Sequence, residues 1–145
     1  MLEVIEAKAV NGRNSQSAKQ EVQELPQELG SYILLIYDLL QEKGYVRGVE
    51  LAERLRMSRP TVTRAMQRLA ALGYANYERY RGITLSPAGV KAAEAARKRY
   101  RIINDFLTAT GAKFGDLQLE SRRLESFCSD DVLAAFKAAT NKLNH

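Results

Sequence analysis

Between Arg47 and Leu85 the hydrophobic period changes in an order that few folds accommodate. VRGVELAERLRM sets Val49, Leu51, Ala52 and Leu55 at helical spacing, and predicts a short helix with all four inward. SRPTVTRAMQRLAALGY follows, with Ser58 as N-cap, Pro60 near the first turn, and Val62, Met66 and Leu69 on one face. Only the turn Arg56-Met57-Ser58 separates the two helices, and Gly73 closes the second. YANYERYRGITLS then alternates, with a turn at Arg81-Gly82, and predicts a β-hairpin. Helix, tight turn, helix and hairpin in that order predict a winged helix-turn-helix.

The flanks are helical. Upstream, PQELGSYILLIYDLLQEKG carries Leu29, Tyr32, Ile33, Ile36, Tyr37, Leu39 and Leu40 as a core-facing stripe, opened by Pro26 and ended by Lys43-Gly44. Downstream, Ser86-Pro87 caps a long helix that runs to Gly111. Two shorter helices complete the chain, the last with Ser129 as N-cap and Asp130 and Asp131 in its first turn. The expected class is mainly α: a winged helix-turn-helix with a two-stranded wing, then a helical dimerisation region. The expected division is a flexible polar tail over 1–25, a DNA-binding domain over 26–86 and a helical dimerisation domain over 87–145.

The net charge of +5 is unevenly spread. Residues 47–101 hold thirteen Lys/Arg against four Asp/Glu, whereas both flanks are net acidic. Concentrated positive charge suits a polyanion such as double-stranded DNA, whose phosphates dominate affinity. A merely solubilising basic surface is the plainer alternative.

Several classes are disfavoured. No apolar run approaches the roughly 18 residues a membrane span needs. MLEVIEAKAV carries Glu3 and Glu6 and does not read as a secretory signal, so a cytoplasmic location is expected. Cys128 is the only cysteine, which leaves no intramolecular disulfide and no cysteine zinc cluster; a redox sensor or a small buried hydrophobe are its two readings. There is no Ser/His/Asp set, Cys/His pair or phosphate-binding glycine loop, so an enzyme is not expected.

In a winged helix the second helix of the motif enters the major groove with its N-terminal residues near base edges. Those residues here are Ser58, Arg59, Pro60, Thr61, Thr63 and Arg64, with Arg68 one turn beyond on the face of Arg64. Arg bonds guanine bidentately, and Thr bonds a base or meets a thymine methyl. Thr61 and Thr63 also suit phosphate contacts or capping. Arg79, Tyr80 and Arg81 at the hairpin tip suit a minor groove or flanking phosphates, and Arg47 begins the basic segment. The competing reading of these side chains is a solvated helix face and an ordinary polar turn.

The stretches SRPTVTRAMQRL and YERYRGITLSPAG resemble the diphtheria-toxin-repressor family, and within it the manganese transport regulator branch. The resemblance runs from about Leu29 to Leu143 and is strongest to about Leu107. It implies a homodimer built on the long helix and the last two helices, a palindromic operator, and repression under control of Mn²⁺ or Fe²⁺. It also implies base reading by Ser58, Pro60 and Arg64.

The resemblance further implies metal ligands, and here the residues depart from it. The first-helix positions are Ser31 and Leu34, around Tyr32. The long-helix position is Tyr100, and those of the next helix are Glu120, Arg123 and Leu124. Only Glu120 of these six is a metal-ligating type, and a salt bridge with a neighbouring arginine competes for it. A shift of register would bring in Glu125, and Leu34 and Leu124 would be free to pack together. The expectation is a relative with a degenerate metal site and no confidently assigned cofactor. Its rivals are a cation sensor using Glu120, Glu125, Asp130 and Asp131, a protein-interaction module, and a regulator whose organic ligand fills the space the metals vacate.

Overall fold

The computed structural model describes residues 22–145. After a 3₁₀ turn at Gln27–Leu29 come α1 (Gly30–Lys43), α2 (Gly48–Leu55), α3 (Arg59–Ala71), β1 (Ala75–Glu78), β2 (Gly82–Leu85), α4 (Pro87–Ala109), α5 (Leu117–Glu125) and α6 (Asp130–Leu143). The mainly helical winged helix-turn-helix read from the sequence is the fold observed.

Caps set the boundaries. Ser58 Oγ accepts from Thr61 N at 3.2 Å, Ser86 Oγ from Gly89 N at 3.1 Å and Ser129 Oγ from Val132 N at 3.3 Å. Asp116 does the same for α5, accepting from Leu119 N at 3.1 Å. Arg56 takes a left-handed backbone, φ 54°, and turns the chain sharply between α2 and α3.

β1 and β2 pair antiparallel, with Ala75 opposite Leu85 and Glu78 opposite Gly82. The wing turn is therefore Arg79-Tyr80-Arg81, and Gly82 already belongs to β2; the turn expected at Arg81-Gly82 lies one step further back. Val46 adds a third rung, its carbonyl accepting from Ile83 N at 2.8 Å. Gly82, at φ 104°, lies against the Val46 carbonyl, where a Cβ would not fit.

Most of the core joins one side of α1 to the winged helix. Leu29, Ile33, Ile36 and Leu39 pack on Leu51 and Leu55 of α2, Val62, Met66 and Leu69 of α3, and Ile83 of the wing. Leu34, on the opposite side of α1, is buried against Ala96 and Tyr100 of α4. A third cluster joins Ile103 of α4 to Cys128 and Leu133, and the rings of Phe106 and Phe136 stack at 4.4 Å.

Two packing expectations need correction. Val49 is 41% exposed rather than inward, because Leu51, Ala52 and Leu55 already fill the face that α2 turns to the core. Leu124 does not meet Leu34: it lies on the outer face of α5, while Leu34 is enclosed by α4. Residues 1–21 of the tail expected over 1–25 fall outside the described residues. Residues 22–25 lie along the winged helix, with Gln23 N donating to Leu72 O at 3.1 Å and Tyr74 Oη donating to Gln23 O.

Candidate nucleic-acid interface

α3 presents two polar edges on either side of its buried stripe. Arg59 and Thr63 face the wing across a cleft of about 270 Å³, which Arg47, Arg79 and Tyr80 also line. Thr61, Arg64 and Arg68 face the opposite way, toward α1 and α5. The residues singled out in the sequence thus lie around the exposed start of one helix and the wing, with Arg59 and Pro60 exposed.

The cap shapes this edge. Ser58 Oγ and Thr61 Oγ1 lie 2.7 Å apart, and Arg64 Nη2 donates to Thr61 Oγ1 at 3.5 Å. Ser58 and Thr61 are committed to the helix start, which leaves Arg59, Thr63 and Arg64 with donors free to turn outward. Arg68 sits a turn deeper and pairs with Glu28 at 3.5 Å. At the wing tip Tyr80 is 84% exposed, with the Arg79 guanidinium 5.5 Å from its ring centre. Arg81 leans on Glu78 at 3.5 Å in open solvent, a pair weak enough for a phosphate to displace. Tyr45 went unnoticed in the sequence; Lys43 and Arg47 flank its ring at 5.6 and 5.7 Å and extend the basic edge. The signal was the alternation of cation and aromatic in KGYVR.

A second polar centre lies where α1, α4 and α5 meet. Asp38 accepts from Arg97 and, at 2.8 Å, from Arg122. These two guanidiniums lie 5.5 and 5.4 Å from the Tyr100 ring centre. Arg99 holds Glu125 through two donors to Oε2, its Nε at 2.9 Å. Glu125 has no exposed surface, and burial, opposed by Arg99, pushes its carboxyl above the usual range. The sequence reading missed this centre because it looked for a metal set. A lone aspartate inside an apolar helix was the visible signal.

The donor set does not fit Mn²⁺ or Fe²⁺. Leu34 and Tyr100 are packed on each other, and Ser31 lines a different cavity with Arg123. Glu120 pairs with Arg123 at 3.7 Å on the outer face of α5. The residues α5 turns inward are Leu119, Ser121, Arg122 and Glu125, so the inward register differs from the Glu120, Arg123 and Leu124 set expected. Glu125, the carboxylate among them, is engaged by a guanidinium. Among the described residues no three His, Cys, Asp or Glu side chains converge on a common point, and Asp130 and Asp131 stand exposed in the first turn of α6.

A capped, basic recognition helix beside an arginine-tipped wing defines a DNA-binding transcriptional regulator of the winged-helix class. Residues 24–83 match the family described as "Iron dependent repressor, N-terminal DNA binding domain". The transcriptional regulator MntR of Salmonella typhimurium is 36% identical over 114 residues, covering 79% of this chain and 73% of that protein. The HTH-type transcriptional regulator MntR of Shouchella clausii is 32% identical over 102 residues, covering 70% and 71%. The chain belongs to the MntR family of transcriptional regulators. Among solved structures, a manganese-dependent transcriptional repressor in complex with manganese superposes with a TM-score of 0.63 at 28% identity, over 78% of this chain and 52% of that one. The T. acidophilum IdeR structure has the same score at 18% identity, over 83% and 56%, a likeness of fold alone. The chain thus spans about half the length of these solved structures. Among the described residues no helix is long and apolar enough to cross a membrane.

Proposed function

We propose that this chain acts as a homodimeric repressor that grips a palindromic operator, and that it does so without a resident metal ion. The observation that carries the reading is the exposed start of α3, where Arg59 and Thr63 stand across a cleft from Arg79 and Tyr80 of the wing and Arg64 lies exposed on the other edge of the helix. α3 enters the major groove, Arg64 reads a base edge, and the wing with Arg47 grips flanking phosphate or the minor groove. Two-fold pairing sets two such helices one helical turn, or a multiple of it, apart on the operator. α6 supplies apolar surface for pairing, with Val132 and Leu143 exposed. The absence of an ion from the working state is supported by the donor chemistry: arginine-carboxylate pairs tie α1, α4 and α5 together where the family resemblance implies a metal.

A genome-wide binding map, taken with and without a chelator and followed by footprinting, tests this. The expected result is one set of two-fold symmetric sites that chelation leaves unchanged. Arg64→Ala is expected to weaken binding by about 1–3 kcal/mol and to relax preference at one position of each half-site. Operator binding that demands added Mn²⁺ or Fe²⁺ would overturn the metal-independent part. Uniform weakening across all sequences by Arg64→Ala would overturn its base-reading role.

A further inference from the structure

An unexplained feature beside the reading head is the cavity between α1, the α2–α3 turn, α3 and α5. It encloses about 530 Å³, within the range of about 300–1,000 Å³ common to small-molecule sites. Its floor is apolar: Leu29, Tyr32, Leu55, Ala65 and Leu119 line it and are all buried. Its rim carries four arginines, Arg56, Arg64, Arg68 and Arg123, against a single carboxylate, Glu28. At its mouth Phe127 is 78% and Met57 43% exposed, so large apolar groups are held in water next to the cations.

We propose that this cavity is an effector site for a single-headed anionic amphiphile, a carboxylate on an apolar body. The floor takes the body and the rim takes the carboxylate. The rim is available for that task. Arg68 meets Glu28 at 3.5 Å, Arg56 meets Asp116 at 3.7 Å and Arg123 meets Glu120 at 3.7 Å. Pairs this long between exposed groups contribute little, and a desolvated carboxylate competes with them. Among the described residues Arg64 has a hydroxyl as its only partner, that of Thr61. The sign of the site follows from its rim, where four guanidiniums face one carboxylate and the Ser31 hydroxyl adds no charge.

The cavity shares Thr61, Arg64 and Arg68 with α3. A bound carboxylate draws Arg64 away from the base edge and adds negative charge beside the DNA phosphates. Occupancy therefore lowers operator affinity. This consequence, unlike the binding itself, rests on the DNA-binding role proposed above.

Decanoate, with decanol as its neutral counterpart, is the probe. Calorimetric titration of the full chain is expected to give one saturable decanoate site, with decanol at least about tenfold weaker. Arg123→Glu and Phe127→Ala replace exposed residues outside the proposed DNA contacts, and each is expected to weaken decanoate by about fivefold or more. Operator affinity measured without decanoate is expected to be lower in Arg123→Glu, whose carboxylate adds negative charge at the same rim, and serves as the baseline for that variant. Decanoate is expected to lower operator affinity for the wild type and not for that variant. Equal affinity for decanol and decanoate, unchanged decanoate binding in Arg123→Glu, or no saturable site would each overturn the proposal. Charge-selective decanoate binding by a chain that grips no DNA would sink the operator reading while leaving the cavity assignment standing.

Discussion

Glu125 has no exposed surface, and its two carboxylate oxygens fare differently. Oε2 accepts both donors of Arg99, whereas Oε1 has no hydrogen-bond partner among the described residues. Gly30 makes room for the group: a Cβ there would lie 2.7 Å from Oε1. Desolvation outweighs the attraction of Arg99 and Arg122 and raises the carboxyl above its ordinary range. A raised acid stabilises the fold fully below its unfolded pKa, and that stability is lost as pH rises through the folded value. Glu125→Gln removes the titration. The stability of the wild type relative to this variant is therefore expected to fall as pH rises above about 4, the ordinary range of a glutamate carboxyl, as read from urea unfolding at each pH. A difference that grows with pH would show that the Arg99 pairing outweighs desolvation.

At the scale of the element, α3 depends on its cap. Ser58→Ala removes the acceptor for Thr61 N and is expected to cost about 1 kcal/mol of unfolding free energy. Ser58→Asp keeps an acceptor and adds favourable charge at the helix start, so stability is expected to return. The same charge faces DNA phosphate, so operator affinity is expected to fall below that of Ser58→Ala. Melting temperature and operator titration read the two effects separately, and parallel changes in both would place Ser58 away from the DNA. The caps at Ser58, Ser86 and Ser129 were legible because a hydroxyl before a helical run has one dominant use. α1 was only half legible: Leu34 and Leu35 lie outside its stripe, because a helix covered on two sides has no single period to follow. The rung at Val46 was hidden because one residue carries no alternation. The inward face of α5 was hidden because its buried residues include Ser121 and Glu125, polar types that a hydrophobic period does not mark.

The whole molecule joins a reading head to a helical base through α1. Eight of the thirteen cations of the basic segment, from Arg47 to Arg81, belong to the head, and the other five lie on α4. Arg79 and Arg81 are expected to act on phosphate or the minor groove, so the double substitution Arg79→Ala/Arg81→Ala should reduce the slope of log affinity against log salt by up to about 2. An unchanged slope, with affinity lost equally at all salt concentrations, would mean that the wing is not contacting phosphate. The link to the base runs through Asp38, which sits on α1 and accepts from α4 and α5 together. Asp38→Ala leaves Arg97 and Arg122 beside the Tyr100 ring without their shared carboxylate, both largely buried, and is expected to cost about 2–3 kcal/mol, less than a fully enclosed pair would. Loss of stability alone does not separate glue from geometry, because any uncompensated buried charge destabilises. The triple substitution Asp38→Leu, Arg97→Met and Arg122→Met does separate them: apolar groups of similar volume restore or raise stability while removing the directional bonds. If the pairs set the angle between head and base, the triple variant is expected to melt at or above the wild-type temperature and still bind a two-fold operator more weakly. Full operator affinity in that variant would reduce the centre to glue and place control of the head elsewhere.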